Sequence, residues 1–368
     1  MSEPLSGPAR LEIDLAAVAA NWRALAALAA PAVVAGVVKA DAYGLGAARV
    51  APALWAAGCR DFFVARAGEG VALRRILPGA RIFVLDGLLP GTGEALAGHR
   101  LVPVLNQPDE LVRWRAAAAQ AGRRLPAALQ LDTGMCRLGF SAAQAAALDE
   151  SSFEGLAIEL VMSHPVVAEE AGHPLNERQR QRFAAMRHGL PAAPGSLANS
   201  SGIFLGRGFQ LDLCRPGVAL YGANPTPGRP NPMRPVVRLE APVMQVHDIV
   251  EEGSVGYGAT WPTRPGARIA TLPVGYADGY PRSAGNRATA RIDGIEVPVA
   301  GRVSMDLTTL DVSSLPEGAV RPGSVAELIG GPDGLDRLAE AAGTIPYEIL
   351  TRLGARYERH YLDAEVPA

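Results

Sequence analysis

Only three cysteines occur in 368 residues, and they stand far apart at positions 59, 136 and 214. An odd, scattered set with no C-x-x-C pair excludes a disulfide framework and a thiolate zinc site, so all three read as reduced thiols. Long apolar runs are missing as well. No stretch approaches the length of a bilayer span, and the opening MSEPLSGPARLEID has no basic region followed by an apolar one, which excludes a spanning helix and a secretory leader from the reading. Charge of one sign is also lacking: Lys plus Arg number 35 and Asp plus Glu 37, a net of −2. That field is too weak to recruit nucleic acid or an anionic membrane surface. Low-complexity tracts and charge blocks are absent, while hydrophobic residues make up 48% and charged ones 20%, so a folded cytoplasmic protein with a small-molecule partner is expected.

The chain is long enough for one large domain and a smaller one. Between residues 33 and 215, short apolar or β-branched runs recur: VVAGVV, DFFVA, RIFVL, LVPVL, AALQLD, IELVMS, GSLA and LDLC. Helix-period segments separate many of them, such as 109–122, opened by Pro-Asp and closed by Gly, and 176–189, opened by Asn. Continuous apolar strands alternating with amphipathic helices predict parallel strands, and eight such units predict an α/β fold with a (β/α)8 TIM-type barrel. Prolines and glycines crowd 224–235, which reads as a domain edge. Beyond it the pattern becomes mainly β with one late helix at GLDRLAEAAG. The expected domains are therefore a barrel over 1–232 and a mainly β domain over 233–368.

In such a barrel the chemistry lies just past the strand ends. Those positions hold Lys39, Arg66, Asp86, Asn106, the 132–137 loop, His164, Asn199 with Ser200, and Arg215. A lysine at a strand end is ordinarily a surface residue. Here an apolar run precedes Lys39 and a Tyr43-Gly44 turn follows, so its stem is buried, its pKa is depressed, and the free amine suits Schiff-base chemistry or proton transfer. Gly44 and Gly46 lack the third glycine of a dinucleotide fingerprint, and no G-K-[ST] loop occurs. The loops Asn199-Ser200-Ser201-Gly202 and Arg215-Pro216-Gly217-Val218 follow strands seven and eight, where barrels place phosphate; ordinary loop composition is the alternative. Arg137 is either an anion clamp or a partner of Asp132. His164 is either a base or a hydrogen-bonded structural residue. His164, Glu169, Glu170 and His173 match no zinc spacing, so no metal is expected.

In the second domain, Tyr257 lies between two glycines in SVGYGATW, Tyr276 in PVGYADGY, Met305 and Asp306 in GRVSMD, and Tyr347 in IPYEIL. Together with VVKADAYGLG, LDTGMCRLGF, MSH, LANSSGI and RPGVALYG, these strings run in an order and spacing that resembles the alanine racemase family along nearly the whole chain. The resemblance implies a homodimer that uses pyridoxal 5'-phosphate to interconvert L- and D-alanine, for peptidoglycan synthesis or alanine catabolism. It implies that Lys39 carries the internal aldimine and that Tyr257, from the second subunit, is the opposing base. Tyr43, Asn199, Ser200, Gly217, Val218 and Tyr347 would hold the phosphate. Arg215 would face the pyridine nitrogen, Arg137 the phenolic oxygen, and His164 would join Arg215 to Tyr257. Met305, Asp306, Tyr276 and Arg137 would meet the substrate, with Arg282 and Arg302 near the entrance.

The chain departs from the family pattern at Gln130, where many relatives have a carbamylated lysine that braces the following arginine, so something else must brace Arg137. Glu169 replaces an aspartate near the entrance and Ser304 a cysteine before Met305; both bear on pocket dimensions. A broad-specificity racemase, a pyridoxal-phosphate carrier and a decarboxylase of related architecture are the alternatives. A Schiff-base aldolase would need no cofactor.

Overall fold

A computed structural model describes residues 9–363; the outer ends of both expected domains, 1–8 and 364–368, lie outside the described residues. Eight short parallel strands follow one another around a ring. The first is split into Val33–Val34 and Gly36–Val37; then come Asp61–Val64, Arg81–Val84, Val102–Leu105, Leu125–Gln130, Leu156–Met162, Gly195–Ser196 and Leu213–Cys214. Each pairs in parallel with the next through the seventh. Closure comes from the eighth, whose residues pair with Val33 and Val34 and which is tied to the seventh by Asp212 N–H to Gly195 O at 3.1 Å and Arg215 N–H to Ala198 O at 2.9 Å. The strands Asp61–Val64 and Val102–Leu105 are buried at every position, which is why they read as continuous apolar runs.

The helices between them obey local rules. Helix Pro108–Ala121 opens with proline and two acidic residues and stops at Gly122, whose φ of 62° only glycine adopts freely. Its buried face includes Leu111, Trp114 and Ala118, a helical spacing that lays one stripe on the sheet. Trp114 also donates its indole N–H to Pro126 O at 3.0 Å, and its replacement by Ala would cost roughly 3 to 5 kcal/mol.

The second unit is mainly β. A six-stranded sheet runs Ile295–Pro298, Thr289–Ile292, Val325–Ile329, Val237–Pro242, Arg10–Asp14, Glu358–Leu362. A three-stranded sheet holds Gln245–Asp248, Arg268–Leu272 and Thr308–Asp311, and a hairpin holds Gly253–Val255 with Trp261–Thr263. The strand Arg10–Asp14 precedes the barrel in sequence yet pairs with Val237–Pro242 on one side and Glu358–Leu362 on the other. Asp14 then caps helix Leu15–Ala29 by accepting the Ala17 N–H at 2.7 Å. The late helix spans Gly334–Ala342, and Pro346–Arg352 follows it, carrying Tyr347 back toward the barrel mouth.

Candidate active site

Lys39 is the only lysine in the chain, against 34 arginines. It stands one residue past the first barrel strand, where Val38 N–H bonds to Phe63 O at 2.9 Å. The chain then makes a left-handed turn: φ is 52°, 54°, 54° and 58° at Ala40, Asp41, Ala42 and Tyr43. Each such residue costs about 1 to 2 kcal/mol relative to the right-handed form, so surrounding contacts must hold it. Gly44 N–H bonds to Ala40 O at 2.8 Å and Gly46 N–H to Asp41 O at 2.9 Å. Asp41 Oδ1 accepts the Ala47 N–H at 2.7 Å, at the start of helix Ala47–Ala57, and Glu69 Oε1 accepts the Ala40 N–H at 2.9 Å.

The turn buries Tyr43 beside Tyr221 and Tyr347, ring centroids 4.8 and 5.9 Å away. It thereby aims Lys39 into a cavity of about 600 Å3 that also touches Asp86, Gln130, Arg137, His164, Glu169, Asn199, Ser200, Arg215, Gly217 and Tyr347. Val218 follows in the same loop and is buried. Ser200 Oγ accepts the N–H groups of Gly217 and Ala219 at 3.0 and 3.2 Å. A Cβ on Gly217 would collide with the Tyr43 hydroxyl, so glycine is required there for packing and not for its backbone angle. Asn199 Oδ1 accepts the Gly202 N–H at 2.8 Å and shapes the same loop.

Electrostatics sort the ionisable groups. Burial lowers the Lys39 pKa most, Arg137 lowers it further, and Glu69 and Asp86 oppose them. His164 is pushed down to about 3 by burial and by Arg215, Arg137 and Lys39, so it is a neutral imidazole at any physiological pH. Arg215 is 4% exposed and burial lowers it to about 10, which leaves it charged at pH 7. It donates to Ser163 O at 2.5 Å and to Ser196 Oγ. Tyr347 is pushed up to about 12 by burial, with Glu169 adding to it.

Asp132 does not pair with Arg137 among the described residues. Its Oδ1 instead accepts the N–H groups of Gly134, Met135 and Cys136 at 2.9, 2.9 and 3.1 Å, shaping the loop from within. Gln130 makes no hydrogen bond to Arg137 among the described residues; its Nε2 donates to Leu138 O at 3.2 Å, one residue beyond. Two residues that lie outside the quoted motifs also shape the site, Glu69 and Gln179, as does Tyr221, which lies within RPGVALYG but was given no role. Gln179, with 0% exposure, donates to Thr133 Oγ1 and to His164 O, each at 3.1 Å, and accepts the Val166 N–H at 2.8 Å. Thr133 and Ser163 share a hydrogen bond of 2.8 Å, so one amide ties the Arg137 loop to the His164 loop. For Gln179 no sequence signal was available, because helix-face glutamines are ordinarily solvated.

Asn106 turns away from the cavity and donates to Val104 O at 2.8 Å. Among the described residues no group of three or more His, Cys, Asp or Glu is placed to hold a metal ion; His173 instead accepts the Leu175 N–H at 3.2 Å. A second hollow, of about 460 Å3 in the β domain, is lined by Arg291, Arg337, Glu296 and Glu327 among others, whose charges pair internally.

The cavity of one chain does not include Tyr257, Tyr276, Met305 or Asp306. These gather on the β domain. Tyr276 N–H bonds to Ser304 O at 3.0 Å and Ala277 N–H to Met305 O at 2.9 Å, Arg356 pairs with Asp278 and Asp306 at 3.1 and 2.9 Å, and the Tyr257 loop lies against Arg302. Tyr257 is 71% exposed and Met305 53%.

Sequence comparison accounts for both halves of this arrangement. Residues 13–225 match the model of the alanine racemase N-terminal domain and residues 236–361 that of the C-terminal domain. The chain belongs to the alanine racemase family. It is 53% identical to the alanine racemase of Rhodospirillum rubrum over 96% of each chain. It is 50% identical to the catabolic alanine racemase of Mesorhizobium japonicum, covering 98% of this chain and 95% of that one. Its fold superposes with a TM-score of 0.92, at 39% identity over 97% of this chain and 100% of the other, on the alanine racemase of Bartonella henselae, a crystal structure with covalently bound pyridoxal phosphate. Alanine racemases thus share both its barrel and its β domain.

Proposed function

We propose that this alanine racemase family member interconverts L-alanine and D-alanine with pyridoxal 5'-phosphate held at Lys39, in a homodimer whose cavities are each completed by Tyr257 of the partner subunit. The observation that carries the reading is that the chain's only side-chain amine enters a cavity walled by a buried cation, a neutral imidazole and phenols. The residues suit the cofactor. Ser200, whose hydroxyl accepts from the Gly217 and Ala219 amides, lines one corner of the cavity with Gly217, Tyr43 and Tyr347, and hydroxyls at such a loop suit a phosphate. When bound, pyridoxal phosphate supplies an electron sink that makes a substrate α-proton removable.

Inversion at a carbon needs proton removal on one side and delivery on the other. Lys39 Nζ, held below its usual proton affinity by burial and Arg137, takes or returns the proton on one side. Tyr257 of the partner subunit serves the opposite side; its exposure and glycine-flanked loop let it extend beyond its own chain. A phenol near its ordinary pKa of about 10 needs a cationic or imidazole neighbour to act at neutral pH, and His164 and Arg215 supply that at the receiving cavity. Arg215 keeps its own proton and donates hydrogen bonds only. Arg137 offers a planar fork to an anionic oxygen, Val218 and Asn199 complete the phosphate loops, and Met305, Asp306 and Tyr276 of the partner subunit frame the mouth. The reaction would serve peptidoglycan precursor supply or alanine catabolism in the cytoplasm, the catabolic role being the one named for the Mesorhizobium japonicum relative; no helix of the described residues is long and apolar enough to cross a membrane.

Racemisation assayed over a panel of L-amino acids tests the reading. Alanine should be turned over best, the Lys39→Ala variant should be inactive, and borohydride should fix one cofactor per chain at Lys39. Equal turnover of larger amino acids would favour the broad-specificity alternative, and an active Lys39→Ala variant would sink the mechanism.

A further inference from the structure

Glu69 stands apart from every residue that the motifs single out. It is the third residue of helix Ala67–Ile76, which follows the strand neighbouring that of Lys39. Its carboxylate is divided between two tasks. Oε2 accepts the N–H groups of Ala65 at 2.7 Å and Arg66 at 3.2 Å, which is what an acidic residue at this position does to cap a helix. Oε1 accepts the N–H of Ala40 at 2.9 Å, and capping does not account for that bond.

Ala40 opens the left-handed turn, with φ of 52°. The turn's own bonds start later, at Ala42 N–H to Val38 O, 2.9 Å. The N–H of the peptide between Lys39 and Ala40 is therefore held by Glu69, ahead of the first N–H that the turn itself engages. We infer that Glu69 is a positioning residue for Lys39: one carboxylate bridges the ends of two adjacent barrel strands and fixes the peptide from which the amine enters the cavity. The inference rests on the proposed role of Lys39 as a proton-transferring group.

The same carboxylate carries charge toward the amine. The groups facing Lys39 are Arg137 beyond the fifth strand, His164 beyond the sixth, Asp86 beyond the third, Tyr43 in the turn, Tyr347 from the β domain, and Glu69. Arg137 disfavours the ammonium, Asp86 and Glu69 favour it, and Asp86 is partly engaged by Arg66 at 3.9 Å. Neutralising Glu69 therefore shifts Lys39 toward the free amine, so the acid limb of activity in the direction that uses Lys39 as base moves to lower pH.

Because lysine occurs once, full-length holoenzyme labelled with carbonyl-13C lysine and 15N alanine gives one amide signal for the Lys39–Ala40 peptide. Glu69→Gln, which keeps size but sets an amide against the Ala40 donor, should speed exchange of that amide by about tenfold, as loss of one hydrogen bond to a charged group implies. It should lower kcat with KM within about twofold, and move the acid limb downward. Glu69→Asp retains charge and capping but is too short to reach both strands; it should show the faster exchange without the shift of the limb. Exchange within twofold of wild type in both variants overturns the inference, as does a kcat loss confined to variants whose unfolding midpoint falls. Activity surviving in Lys39→Ala would instead remove the proposed function, while the exchange measurement would still report on the clamp.

Discussion

Replacing Gln179 with Leu isolates the amide that joins the loops carrying Arg137 and His164. The wild-type side chain is fully buried and makes three hydrogen bonds, to Thr133 Oγ1, His164 O and Val166 N–H. Thr133 keeps its bond to Ser163 Oγ, so the substitution orphans two backbone groups. Each orphaned buried group costs about 1 to 3 kcal/mol, and the low end applies to Val166, a residue 38% exposed. Leucine recovers about 1 kcal/mol through its extra apolar burial. The net expectation is a loss of about 1 to 3 kcal/mol, read as a lower urea midpoint at unchanged slope. Because the orphaned groups lie in the loop carrying His164, and the lost amide no longer ties it to Thr133 ahead of Arg137, kcat should fall at least tenfold and cofactor affinity should weaken with it. An unfolding free energy within about 0.5 kcal/mol of wild type, with normal kcat, would refute the claim that this amide holds the loops together.

Gly217→Ala should fold normally, since φ there is −121°, yet weaken cofactor binding at least tenfold by displacing Tyr43; titration of stripped protein followed by absorbance checks this. His164, depressed from 6.5 to about 3, stays neutral in the fold while the unfolded chain protonates, so stability present above pH 6.5 is lost as pH falls toward 3. The linked loss should be about 2 to 3 kcal/mol at pH 4.5, and His164→Gln should flatten that part of the urea-midpoint profile. Lys39→Ala and Tyr257→Phe should impair the two directions of racemisation unequally; deuterium exchange at Cα from each enantiomer reads this, and equal defects both ways would contradict the two-base assignment.

All eight expected barrel strands occur within a few residues of their predicted positions, including the two-residue strands at Gly195 and Leu213. They were legible because a strand covered on both faces needs apolar residues at each position, a purely local requirement. The helix Pro108–Ala121 was legible from its Pro start and Gly stop for the same reason. Helix Leu15–Ala29 was harder to see, because alanine-rich sequence has high propensity but little periodic contrast. The strand Arg10–Asp14 had no local signature of its destination, since its partners lie more than 220 residues away.

Local sequence sufficed for the barrel and the mainly β second unit, and it brought the candidate site residues into view, because burial patterns and side-chain types are properties of short stretches. It could not determine that the Lys39 turn is left-handed, that Asp132 spends its carboxylate on its own loop, that Gln130 bonds to the Leu138 carbonyl, or that Glu69 and Gln179 hydrogen-bond across strand ends. Those depend on which backbone donors of one strand end come within hydrogen-bond reach of side chains from another, and only closure of the ring brings them together. The same holds for Tyr257: its residue type was visible in the sequence, whereas its separation from the Lys39 cavity of its own chain became visible only with the fold.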